Sequence, residues 1–277
     1  MPGPSPILRP PGAAAWADRD AERKGRGGGR VANVGAVRLP FTRYGAVDLA
    51  LSTAAWAAVV AFSVAVADRW PALWAVGAVA TGVWALLLNF FRDPERIVPS
   101  GEGLLVSPAD GRVTDIVDVD EPQILRGPAT RLGIFLSPLD VHVNRMPIAG
   151  RVTQRVETRG KMLRAYDPLA ATENQSCAVG LEVAGGHLVV VRQVTGAVAR
   201  RIVCPVRPGD RFRAGERYGM IKLGSRTEVW VPKSLCVKWS VSVGDRVLGG
   251  ATVLGVVEGL PREAAAEVAA ASESAVP

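Results

Sequence analysis

Ser225 stands in the run Lys222-Leu223-Gly224-Ser225-Arg226-Thr227-Glu228. A glycine carbonyl followed by serine is the least hindered peptide bond that a hydroxyl can attack from its own residue. Glycine also tolerates the strained backbone such an attack needs. The hydroxyl requires a base, and His142 in Leu136-Ser137-Pro138-Leu139-Asp140-Val141-His142-Val143-Asn144-Arg145-Met146-Pro147 is placed to serve as one. In an extended strand His142 and Asn144 share one face, while Val141, Val143 and Arg145 take the other. Asp110, in Ser107-Pro108-Ala109-Asp110-Gly111, can supply a carboxylate that orients the histidine, giving a Ser/His/Asp set drawn from three turns. Each residue also has a plainer reading. Gly-Ser and Pro-Ala-Asp-Gly are ordinary turns, and a histidine can be a satisfied core or surface residue. Spacing alone does not bring the three together. His187, after Gly185-Gly186, reads as a hairpin tip outside the chemistry.

The elements that must position these residues begin after residue 98. Gly111–Val117, Leu132–Leu136, Val141–Arg145, Arg151–Val156, Leu188–Val194 and Glu228–Val231 are short Val- and Ile-rich runs between Gly, Pro and Asp turns. That texture predicts an antiparallel β-sandwich or barrel-like domain. Val206-x-x-Gly209-Asp210-Arg211-x3-Gly215 returns as Val241-x-x-Gly244-Asp245-Arg246-x3-Gly250, 35 residues later, and reads as a structural repeat of strand–turn–strand units.

Ahead of this domain lie two uncharged apolar runs, Leu49–Ala67 of 19 residues and Trp70–Phe91 of 22. As helices they would be roughly 29–33 Å long, the hydrocarbon thickness of a bilayer. Asp68 and Arg69 separate them, so they predict a tight α-helical membrane hairpin, with a pair of buried soluble helices as the other reading. Residues 1–46 carry eight of the 33 basic residues and three of the 26 acidic ones, most of the chain's net +7. Lacking apolar periodicity, this arm predicts disorder. Together with Arg92 and Arg96 it places both hairpin ends, and the β-domain, on the cytoplasmic side of the membrane. The expected divisions are a basic arm at 1–45, the hairpin at 46–91, a β-rich catalytic domain at 92–260 and a flexible tail at 261–277.

Composition narrows the chemistry further. Three cysteines without a C-x-x-C pair, and two histidines, point away from a disulfide scaffold and from a metal centre. Cys177, Cys204 and Cys236 read as small core residues of a reducing compartment. Because the positive charge precedes an apolar hairpin, the anionic partner it suggests is a lipid surface rather than nucleic acid.

Five segments together resemble the phosphatidylserine decarboxylase proenzymes in their short bacterial or archaeal-like form. They are Phe90-Phe91-Arg92-Asp93-Pro94-Glu95-Arg96, Ser107-Pro108-Ala109-Asp110-Gly111, Leu136 to Pro147 as quoted above, Gln193-Val194-Thr195-Gly196 and Lys222-Leu223-Gly224-Ser225. The resemblance covers roughly residues 88–258. It implies self-cleavage between Gly224 and Ser225 with His142 as base and Asp110 orienting it. Ser225 becomes a pyruvoyl group, the self-derived cofactor, with no metal. That group takes the amine of phosphatidylserine and accepts the electrons released with carbon dioxide, and His142 returns a proton to the α-carbon. The two fragments would remain together as a heterodimer, with a homodimer of that pair as a further partner. Arg145, Gln193 and Thr195 are implied as substrate-binding residues.

Two departures stand out: Arg226 follows the serine where many members have threonine, and Arg145 replaces a second histidine found in some members. Either His142 covers both base roles or Arg145 takes up part of the electrostatic work. A pyruvoyl enzyme for a soluble amino acid, or a membrane-anchored β-sandwich binding module, are the competing functions. The first leaves the hairpin without a role, and the second lacks an exposed attachment lysine.

Overall fold

The computed structural model describes residues 40–163, 170–196, 201–222 and 225–260. Most of the basic arm, the tail from 261, and Leu223 and Gly224 at the expected cleavage point lie outside the described residues.

The two apolar runs form α1 (Ala46–Val66) and α2 (Leu73–Phe90), joined through the Asp68–Arg69 turn and Pro71. Large apolar side chains face outward all round the pair, among them Val47, Leu51, Phe62, Trp74, Val79 and Leu86. Both helices are long and apolar enough to cross a membrane. The polar groups between the helices are satisfied accordingly. Thr53 Oγ1 donates to the Leu49 carbonyl and accepts from Trp84 Nε1, while Thr81 Oγ1 donates to the Gly77 carbonyl and accepts from Trp56 Nε1. The two indoles stack with centroids 4.1 Å apart, and Gly77 of α2 faces Ser63 of α1.

Of the arm expected to be disordered, residues 40–45 are described and are structured. Phe41 bridges to Arg92, Thr42 N–H donates to the Phe91 carbonyl at 2.9 Å, and a 3-10 turn spans Arg43–Gly45. Gly45 is required there, because a Cβ would collide with the Phe91 ring.

Beyond the hairpin run β1 (Leu104–Val106), β2 (Gly111–Glu121), β3 (Gly127–Leu136), β4 (Val143–Arg145), β5 (Gly150–Thr158), β6 (Ser176–Glu182) and β7 (Leu188–Thr195). They are followed by β8 (Arg201–Val203), β9 (Arg211–Phe212), β10 (Arg217–Lys222), β11 (Ser225–Pro232), β12 (Cys236–Trp239), β13 (Arg246–Val247) and β14 (Val253–Glu258). The mainly β expectation holds, and every pairing between these strands is antiparallel. One sheet has eight strands in the order β13-β2-β3-β11-β7-β6-β5-β9, and two three-stranded sheets have the orders β1-β14-β12 and β4-β10-β8.

This order is a duplication. Read inwards from its two edges, the large sheet runs β13-β2-β3-β11 and β9-β5-β6-β7, and the small sheets correspond strand for strand. The repeated Gly-Asp-Arg segments sit at matching places. Gly244 N–H donates to Val113 and Gly209 N–H to Val152, and the Asp245 and Asp210 carbonyls accept from the same two residues in return. Gly111-Arg112-Val113-Thr114 and Gly150-Arg151-Val152-Thr153, which open β2 and β5, are identical quartets. The half that holds Asp110 carries Ala149 at the matching place in its twin.

Leu132, Ile134, Val179, Leu181, Val189, Val191 and Val229 form the centre of the core. A separate cluster, Phe90, Phe91 and Met220 with Tyr44, Leu49 and Leu87 against it, joins the base of the hairpin to β10.

Candidate active site

Ser225 opens β11, the strand between β3 and β7, with Leu136 and Thr195 as its register partners. Side chains alternate along a strand, so Ser225 and Thr227 share one face with Thr195 and Gln193, which lie opposite them. Asn144 reaches onto this face from β4: its Nδ2 donates to Thr227 Oγ1 at 3.0 Å and its Oδ1 accepts from Gln193 Nε2 at 2.7 Å. One step along the same face, the Ser225 hydroxyl is fully buried and has no hydrogen-bond partner among the described residues. An orphaned buried hydroxyl costs free energy, and a site holds one when it is needed for something else.

His142, two residues before Asn144, is also fully buried, and its ring lies 4.5 Å from that of Phe90. Nδ1 stands 2.9 Å from the Asp140 carbonyl. A carbonyl only accepts, so Nδ1 carries the proton and the lone pair is at Nε2, which has no partner among the described residues. Burial pushes the imidazole down to about 4, against the opposing influence of Asp140. The ring is therefore neutral at physiological pH, with its basic nitrogen free.

Asp110, the carboxylate expected beside this ring, bonds other groups. Its Oδ2 accepts from Arg96 at 2.8 Å and its Oδ1 from the Gly249 N–H at 2.7 Å, and burial raises its pKa despite both. The orienting group is the backbone carbonyl of Asp140, in a turn closed by its own carboxylate, which accepts from the Ser137 N–H and from Arg246.

Arg145 is likewise turned away from the histidine. Its guanidinium is spent on the Gly215 carbonyl, the Pro94 carbonyl and Asp93. Arg217 grips the same Asp93 and also Glu95, so the Asp93–Glu95 segment after the hairpin is clamped onto the domain. Thr195 sits across from Ser225 but its hydroxyl donates to the Gln175 carbonyl. Of the three cysteines, Cys177 and Cys204 are buried as expected, whereas Cys236 is exposed. Asn144, Thr227 and Phe90 were within the quoted motifs or two residues from them, but their part in the site emerges only from the fold.

The hairpin touches His142 and the end of β10, the strand that leads towards Ser225. Phe90, the last residue of α2, packs on His142. Asp48, in the first turn of α1, pairs at 2.5 Å with Lys222, three residues before Ser225.

Arg226 explains itself on the opposite face of β11. Its guanidinium bonds Glu228, Asp115 and Thr114, and Gly133 on β3 supplies the room, since a Cβ there would strike it. Glu228 is completely buried and also accepts from Trp230 Nε1. Arg226→Met should therefore lower the unfolding free energy by about 3–5 kcal/mol, the usual cost of abandoning a buried charge partner. Urea unfolding reads this, and a loss below about 1 kcal/mol would mean that water screens the cluster.

Residues 83–255 match the phosphatidylserine decarboxylase family. The chain is 48% identical over 182 residues to a phosphatidylserine decarboxylase proenzyme of Symbiobacterium thermophilum, covering 66% of this chain and 84% of that protein. It is 43% identical over 217 residues to the proenzyme of Rhodopirellula baltica, covering 78% and 87%, and 45% identical over 179 residues to that of Salinibacter ruber, covering 64% and 78%. The matched stretch holds α2's Phe90, the buried histidine and the orphaned serine alike, and with it the chain belongs to the phosphatidylserine decarboxylase family.

Proposed function

We propose that the chain is made as a proenzyme, cleaves itself between Gly224 and Ser225, and then decarboxylates phosphatidylserine to phosphatidylethanolamine in the membrane that its hairpin enters. The observation that carries this reading is the pair of buried, unpartnered atoms, Ser225 Oγ and His142 Nε2, in a chain of this family. His142 Nε2 takes the hydroxyl proton as Ser225 Oγ attacks the Gly224 carbonyl, and passes it to the Ser225 nitrogen as the Gly224–Ser225 amide bond breaks and leaves an ester. Loss of the Ser225 α-proton expels the Gly224 carboxylate and leaves dehydroalanine. Water then replaces the nitrogen, which departs as ammonia, and residue 225 ends as a pyruvoyl group. That group supplies an electrophilic carbonyl that binds an amine and accepts the electron pair freed with carbon dioxide.

The chain's own residues do the rest. The Asn144–Gln193–Thr227 network holds the polar face rigid beside residue 225, and Thr195 lines it. His142, fixed by the Asp140 carbonyl, takes up at Nε2 the proton that the substrate's ammonium loses on condensing, and gives that proton to the substrate's α-carbon. Asp110 and Arg145 act as positioning residues, Asp110 through Arg96 and the Gly249 backbone, Arg145 through Asp93 and Pro94. The fragments have reason to stay together: the smaller contributes β11, which pairs on both sides with strands of the larger, and β14, which pairs with β1. The apolar faces of α1 and α2 support membrane attachment, with the domain on the cytoplasmic side by the charge rule.

Active protein should therefore run on denaturing gels as fragments of 224 and 53 residues, and borohydride should abolish its activity by reducing the carbonyl. An active, uncleaved chain that is indifferent to borohydride would overturn the reading.

A further inference from the structure

Outside the hairpin, six large apolar side chains are substantially exposed among the described residues: Ile97, Val119, Leu139, Met162, Val243 and Leu248. Four of them gather around two carboxylates, Asp110 and Asp140. Ile97 (92% exposed) follows Arg96, which bonds Asp110, and Leu248 precedes Gly249, whose N–H bonds the same residue. Leu139 (63% exposed) precedes Asp140, and Val243 lies in the turn leading to Arg246, which bonds Asp140. Four guanidiniums stand among them. Arg92 leaves the end of α2 and donates to the Leu139 carbonyl at 2.8 Å. Arg112 reaches the Gly244 carbonyl, and Arg96 and Arg246 hold the two carboxylates. The side chain of Arg246 is still 71% exposed.

Exposed apolar residues gathered in one place mark a contact surface. Apolar tips interspersed with arginines, of which Arg92 and Arg112 bond backbone carbonyls rather than the two carboxylates, suit the boundary between acyl chains and anionic headgroups. The patch adjoins the point where α2 ends, so it continues the hairpin's own contact.

We propose that this face, Ile97, Leu139, Val243 and Leu248 with Arg92, Arg96, Arg112 and Arg246, rests in the headgroup layer of an anionic bilayer. The inference depends on reading the hairpin as membrane-embedded. It adds a second, interfacial contact that fixes the tilt of the domain on the membrane. The loop Ser137–Asp140 lies between Leu136, the register partner of Ser225, and His142. With Leu139 dipped into the lipid, a headgroup meets the polar face at this loop without its acyl chains leaving the bilayer.

The test places one cysteine at a time in a Cys236→Ser background, leaving Cys177 and Cys204 buried. Leu139→Cys, Leu248→Cys, Val79→Cys and Val119→Cys are each labelled with an environment-sensitive fluorophore and reconstituted in phosphatidylcholine vesicles containing phosphatidylglycerol. Val119 is the aqueous control, eight residues along β2 from Gly111 and so roughly 26 Å away. Val79 reports on the hairpin. Doxyl-lipid should quench the probes at 139 and 248 several-fold more than the probe at 119, and the difference should shrink when phosphatidylglycerol is omitted. Quenching at 79 without quenching at 139 and 248 would overturn the docking face and leave the hairpin reading intact. No quenching at 79 would overturn the membrane reading itself. Probes at 139 and 248 that are shielded from water yet not quenched by lipid would mean that a protein surface covers the patch, which also overturns the proposal.

Discussion

Ser225→Ala should yield a single uncleaved chain without decarboxylase activity, folded at least as stably as the parent. The loss should be on the order of 10⁶-fold or more, the low end of what enzymes add to uncatalysed reactions, because no electrophile forms. Stability moves the other way for a specific reason. The substitution removes one atom, the fully buried hydroxyl oxygen without a partner. Deleting an orphaned polar group gains up to about 1–3 kcal/mol, the desolvation it no longer has to bear, less a small loss of packing. Intact mass spectrometry and a urea titration on one preparation separate the two effects. Two fragments in the mutant would show that Ser225 is not the nucleophile. An uncleaved chain with a much lower unfolding midpoint would show that the hydroxyl is a structural partner rather than a reserved one.

The site was legible in the sequence where chemistry demands a residue type, and illegible where the backbone performs the task. Ser225 and His142 could be picked out because few side chains attack a carbonyl or hold a proton near neutrality. The group bonded to His142 Nδ1 is a peptide carbonyl, which every residue possesses, so no residue type in the sequence points to it. Asp110 instead secures Arg96 and the Gly249 backbone. Arg226 looked like a defect in the serine's neighbourhood, because strand alternation, which sends it to the far face, becomes visible only once β11 is known to begin at Ser225.

The fold divides in the same way. The strands β2, β3, β5 and β7 announced themselves by pattern, although β2 runs on to Glu121 through acidic residues that masked its end. β6 and β7 are both buried on both faces, but β6 was missed because Ser176–Glu182 holds a single β-branched residue and an interior glycine, without the valine run that gave β7 away. β4 is shorter than expected because the chain from Asp140 to His142 is held by a turn and by Phe90 rather than by a ladder. The Gly-Asp-Arg echo was visible, but that it marks the two edges of a duplicated sheet needed the pairings.

His142→Gln carries the second large effect: self-cleavage should slow by about 10²–10⁴-fold, the usual contribution of a positioned general base. Glutamine keeps most of the volume beside Phe90 and retains an amide N–H for the Asp140 carbonyl, yet offers no basic nitrogen. Acid separates this role from a structural one. The imidazole titrates at about 4 in the folded chain against about 6.5 when unfolded. Between those values the unfolded chain holds the extra proton, so stability falls as pH drops from 6.5 towards 4, by about 3 kcal/mol in all. His142→Gln lacks that loss, and its urea midpoint should fall less between pH 7 and pH 4. Asp110, raised by burial, works in the opposite sense, stabilising the fold only while protonated, but it is common to both chains and drops out of the comparison. Cleavage by the parent should likewise persist well below pH 6.5, because the neutral ring survives there. A wild-type cleavage rate in His142→Gln would remove His142 as the base. A cleavage profile falling with a midpoint near 6.5 would mean that the ring is wet when it reacts, and that Phe90 does not seal it.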